Sequence, residues 1–121
     1  MRVLLVWAIA AALLSAGCAL APRTPIATAE DFRARVVDRP LEGGEGWNRL
    51  VIQSDGTMTG LRADGATLSG SWTFENGYFC REAIVDGASL GTDCQTVSID
   101  GDSAVFHRDG GRGERISYTF K

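Results

Sequence analysis

The stretch Ala66–Cys94, ATLSGSWTFENGYFCREAIVDGASLGTDC, decides the fold. Its first nine residues alternate. Leu68, Gly70, Trp72 and Phe74 fall on one side, and Thr67, Ser69, Ser71 and Thr73 on the other. A period of two with one apolar side is a β-strand that buries a single face. Asn76-Gly77 and Asp86-Gly87 then interrupt the run. Both dipeptides tolerate the positive φ that tight hairpin turns demand. The stretch therefore reads as three consecutive antiparallel strands. Pairing about Asp86-Gly87 sets Cys80 opposite residue 93, one short of Cys94. A single bulge, or the longer loop in DGASLG, brings the two cysteines face to face at the short separation a disulfide needs. The alternatives are poorer. Thirteen residues separate the thiols, not the two of a C-x-x-C redox motif. A zinc site would need more ligands than this pair and the sole histidine, His107, provide. A structural Cys80–Cys94 bridge is expected.

The same punctuation runs along most of the chain. Asp-Gly or Asn-Gly begins at positions 55, 64, 76, 86, 100 and 109, at intervals of 9 to 14 residues. Between these turns lie NRLVIQ, GTMTGL, YFCREAIV, DCQTVSI and SAVFHR, and RISYTF alternates as cleanly as the opening segment. About seven short strands at regular spacing predict a mainly β protein, an antiparallel meander closing into a barrel or half-barrel. Closure buries one face and removes exposed edges. Trp72, Phe74, Ile116, Tyr118 and Phe120 are the expected interior. Upstream, TAEDFRARVVDRPL has Thr28 followed by Asp31, an N-cap signal, and apolar Phe32, Val36 and Val37 at helical spacing. One short helix from Ala29 to about Val36 is expected to plug an end of the barrel with Phe32 and Val36, before Pro40 stops it.

The first residues belong to no such fold. MRVLLVWAIAAALLSAGC carries one early charge, Arg2, then an uncharged apolar run from Val3 to Leu14, then small residues. That is the layout of an export signal, and the run is too short to span a bilayer comfortably. Its end, LLSAGC, resembles a bacterial lipobox, with Ser15 where an aliphatic residue is usual. The resemblance implies cleavage after Gly17 and lipidation of Cys18. The expected organisation is a signal peptide over 1–17, a Pro-containing lipidated tether over 18–28, and the barrel domain over 29–121. Without Arg2, 11 basic residues face 15 acidic ones, a formal charge of about −4, and the only lysine is Lys121. No basic run stands out. Nucleic-acid binding, which draws on neutralised phosphates, is therefore not expected.

Few residues invite chemistry. Arg81 and Glu82 are consecutive on one strand, so one of them faces inward unless it lies at a rim, and an inward charge needs a partner or a ligand. Trp47 follows the Gly-rich EGGEG at Glu42–Gly46, where an aromatic could touch a ligand or cover a core edge. These three are the candidate binding residues. His107 lies beside Arg108 and Asp109 but belongs to no recognisable nucleophile–base motif, and most aspartates are turn residues. No catalytic residue, metal site or cofactor is expected.

The segment from Asp55 to Asp102 resembles a group of small exported bacterial proteins. The matching residues are Gly70 and Trp72, then Gly77-Tyr78-Phe79-Cys80-Arg81, then Cys94. The group offers no established activity to carry over. Some members bear the automated label dihydrodipicolinate reductase, which this sequence does not support: such an enzyme needs a Rossmann βαβ unit. The expectation is a lipid-anchored protein on the periplasmic side of a bacterial membrane. It would act as a binding or structural module for an envelope protein partner, or alternatively as a carrier of a small ligand in the barrel interior; an enzyme is the weakest alternative. A filled interior would favour the protein partner, and a lined pocket holding Arg81 or Glu82 the carrier.

Overall fold

The computed structural model describes residues 23–121. The expected leader over residues 1–17 and the lipidation site Cys18 lie outside the described residues. Nine strands form one antiparallel sheet: β1 (Thr24–Pro25), β2 (Leu41–Glu42), β3 (Trp47–Ile52), β4 (Thr57–Arg62), β5 (Thr67–Glu75), β6 (Tyr78–Val85), β7 (Ala88–Asp100), β8 (Ser103–His107) and β9 (Arg115–Phe120). From β2 to β9 each strand pairs with the next, and β2 also pairs with β9 through Leu41–Phe120 and Glu42–Thr119. The result is a closed up-and-down barrel of eight strands. The seven strands expected from the turn spacing are β3 to β9. The eighth, β2, is only two residues long and too short to show alternation, yet it closes the ring.

Local chemistry explains the turns. Asn76 and Gly77 adopt φ of 54° and 82°, and Asp86 and Gly87 adopt 48° and 82°. Two successive positive φ values make the turn whose twist matches antiparallel strands, and Asn, Asp and Gly bear it at least cost. Along β5, Leu68, Trp72 and Phe74 are buried while Thr67, Ser69, Ser71, Thr73 and Glu75 are exposed. On β9, Ile116 and Tyr118 point inward and Phe120 is partly covered.

Helix α1 (Ala29–Arg35) sits where expected. The Asp31 N–H donates to Thr28 Oγ1 at 3.1 Å, capping its first turn. Phe32 and Val36 are fully buried. The Phe32 ring lies 5.3 Å from that of Trp72, 4.8 Å from Phe74 and 5.3 Å from Phe79. Arg33 Nη1 donates to the carbonyl of Ser54, and Asp38 Oδ1 accepts from the Ser54 N–H. The helix thus plugs the end of the barrel that carries the β3–β4, β5–β6 and β7–β8 turns. In a meander, the β2–β3, β4–β5, β6–β7 and β8–β9 connections must lie at the opposite end.

The tether expectation needs correction. Residues 24–26, assigned to it by sequence, dock on the barrel. Thr24 and Pro25 pair with Ile99 and Ser98 of β7, Ile26 donates its N–H to the Val97 carbonyl at 2.8 Å, and its side chain is buried. Two paired residues and one isolated apolar side chain leave no periodic trace, and a proline is tolerated because β1 is an outer edge strand.

Candidate functional site

The barrel is packed near α1 and hollow toward the other end. A cavity of about 610 Å³ occupies the open half. Such a volume lies within the range of small-molecule sites. Its lining divides by strand. Leu50 and Ile52 of β3, Met58 of β4 and Leu68 of β5 give an apolar wall. Most polar groups come from the other side, among apolar Phe79, Phe106 and Ile116: Arg81 of β6, Gln95 of β7, Tyr118 of β9, and Arg108 in the helical turn α2 (Arg108–Gly111) after β8; Arg62 of β4 and Glu45 also line the cavity.

Strand phase places Arg81. Phe79 is buried, so alternation sends Cys80 outward and Arg81 inward, where only 9% of it is exposed. Glu82 points outward and accepts a hydrogen bond from Thr92 Oγ1 at 3.0 Å; it takes no part in the cavity. Of the two charged candidates, the arginine is therefore the inward one. Trp47 is buried rather than loop-borne. A β-bulge between Trp47 and Arg49 lets Trp47 and Leu50 both line the cavity although they are three residues apart.

Cys80 and Cys94 are direct partners across β6 and β7, with sulfurs 2.09 Å apart. The register shift anticipated from the turn lies between Glu82 and Ile84. The bridge is on the outer side, and its flanking pairs Phe79–Gln95 and Arg81–Asp93 face the interior. It thus fixes, from outside, the two strands that carry Arg81 and Gln95.

Three arginines line the cavity, and two are already neutralised. Arg62 donates from Nε and Nη2 to the two oxygens of Asp64 at 3.0 and 2.8 Å, and its guanidinium lies 5.6 Å from the Trp47 ring centroid. Arg108 Nη2 donates to Glu45 Oε2 at 2.6 Å, and Glu114 stands 3.8 Å from Arg108 Nη1. Glu45 reaches this position because Gly44 packs against the Tyr118 ring, where a Cβ would overlap it. Arg81 differs. Its Nη1 donates to the Gly91 carbonyl at 3.1 Å, and among the described residues no carboxylate comes within ion-pair reach. Asp93, its cross-strand partner, has its oxygens engaged by Gln95 Nε2 at 2.9 Å and the Asp109 N–H at 3.1 Å. Burial pulls the Arg81 guanidinium below its ordinary pKa, and Arg108 adds to this while Asp93 opposes it. Burial also pushes Tyr118 well above the usual phenol range, with Glu45 reinforcing the shift, so it presents a neutral hydroxyl.

Of the residues singled out from the sequence, Arg81 and Trp47 line the cavity and Glu82 does not; Tyr118 was expected in the interior, and Gln95 and the Arg108–Glu45 pair were not singled out. Glu45 and Arg108 are 63 positions apart and meet only because two loops share one barrel end. His107 is half-buried at the end of β8, opposite Thr96 and Arg115. No family model, curated protein or solved structure matches the chain.

Proposed function

We propose that the protein is an exported, lipid-anchored binding module that holds a small ligand in the barrel cavity. The observation that carries this reading is the cavity of about 610 Å³, walled by apolar side chains and holding a buried arginine. A filled interior would have served stability better, since voids forfeit packing energy. The antiparallel barrel is also not the βαβ architecture with which pyridine-nucleotide reductases hold their cofactor. A protein partner at the rim is the second reading, and exposed Leu61 and Leu90 favour it, at the end of β4 and on β7 beyond the reach of β8.

The test uses N-phenyl-1-naphthylamine, a neutral probe that fluoresces in apolar surroundings. The expected result is saturable enhancement at one site per chain. Val85→Trp places a large ring in the cavity lining and is expected to abolish saturation. Absence of saturable binding to the wild-type barrel would sink the proposal.

A further inference from the structure

We infer that the ligand of this cavity is an amphiphile with a single carboxylate head, bound by the guanidinium of Arg81. The inference rests on the ligand-binding reading above and names the chemistry that this reading leaves open.

The charge inventory fixes the head group. Arg62 is matched by Asp64 and Arg108 by Glu45, so one lining cation remains free for a ligand. A buried cation without a counter-charge is costly, because it has lost water and gained little in return. An arriving monoanion removes that cost. A guanidinium has five N–H donors in a planar fork, and Arg81 uses one of them on Gly91. The fork matches the two oxygens of a carboxylate in a bidentate pair. Gln95 and the un-ionised Tyr118 hydroxyl line the same polar side and can supply further hydrogen bonds. A dianion would find no second free cation and would meet Glu45. The remainder of the ligand is apolar, because the opposite wall offers Leu50, Ile52, Met58 and Leu68. At ~30 Å³ per water-sized group, the cavity accommodates a molecule of up to about twenty non-hydrogen atoms.

Displacement of the naphthylamine probe by ligands of one chain length tests this directly. Decanoate is expected to displace it about 10- to 100-fold more effectively than decan-1-ol, the range for hydrogen bonds to a charged group. Decyl phosphate should do no better than decanoate. Arg81→Met should erase the advantage of decanoate over decan-1-ol, both read against the probe affinity measured for the variant itself, with a melting temperature equal to or above wild type because a buried cation is gone. Arg81→Lys, which keeps the charge and loses the fork, should show an intermediate preference. Equal displacement by decanoate and decan-1-ol in the wild type would overturn the inference while leaving the cavity reading intact. So would a decanoate preference that survives Arg81→Met, or stronger displacement by decyl phosphate. Failure of the wild-type protein to bind the probe, decanoate or decan-1-ol would remove the cavity reading and the inference with it.

Discussion

Asp64 shows how single side chains are tuned at the barrel mouth. The Arg62 guanidinium and the Ala66 N–H both donate to its carboxylate and hold its pKa at about 2, against an ordinary 3.8. A depressed carboxylate pKa means that the unfolded chain takes up the proton first. The contribution to stability is therefore complete above the ordinary value and is lost as pH falls from there toward about 2. A carboxyl titration followed by NMR should place the Asp64 midpoint near 2. In Arg62→Met it should move toward 3.8 without reaching it, since Ala66 still donates. The same scale shows what sequence can and cannot disclose. Alternation says that Arg81 and Glu82 face opposite ways, and the apolar Phe79, on Arg81's side of the strand, tells which is inside. No local signal says that Arg81 lacks a carboxylate, because that depends on where Asp93, Gln95 and the loop around Asp109 come to lie in three dimensions.

At the scale of elements, the β6–β7 hairpin combines a two-residue turn, a bulge and a disulfide. The Asp86-Gly87 turn and the disulfide were legible in CREAIVDGASLGTDC, since turn chemistry fixes register and register fixes which residues oppose, while the one-residue offset was left between a bulge and a longer loop. The early part of β7 was not: Ala88–Thr92 is largely exposed and lacks alternation, and β8 pairs only from Thr96 onward. The closing strand β2 was hidden for a related reason, its pairing being set by the two neighbours that enclose it. The bridge spans a sequence separation of 14, and the chain-entropy model gives about 3 kcal/mol for a loop of this size. Cys80→Ser/Cys94→Ser should lower the unfolding free energy read from urea titration by about 3 kcal/mol. The wild-type protein should change electrophoretic mobility on reduction, and the double variant should not. Equal unfolding free energies for the two proteins would show that the closed barrel alone holds the hairpin.

For the whole molecule, closure solves two problems with one chain of modest size. Pairing β2 with β9 removes both edges of the meander, and α1 seals one end, so a hollow opposite half is compatible with a stable core. The barrel class was readable because six turn dipeptides recur at near-regular intervals. The hollow was not, because alternation marks an inward face without saying what it meets. The anchoring proposal belongs at this scale. Cells grown with labelled palmitate should yield a labelled wild-type protein, and Cys18→Ser should be unlabelled; an unlabelled wild type would refute the anchor. Between Cys18 and β1 the chain can span no more than about 20 Å at 3.3–3.6 Å per residue. It joins the barrel beside the β7–β8 turn, at the plugged end. Under the anchoring proposal, the protein would stand on its sealed base with its opening turned away from the lipid. It would load and unload through the aqueous phase, exchanging cargo with soluble donors and acceptors rather than drawing it from the bilayer beneath.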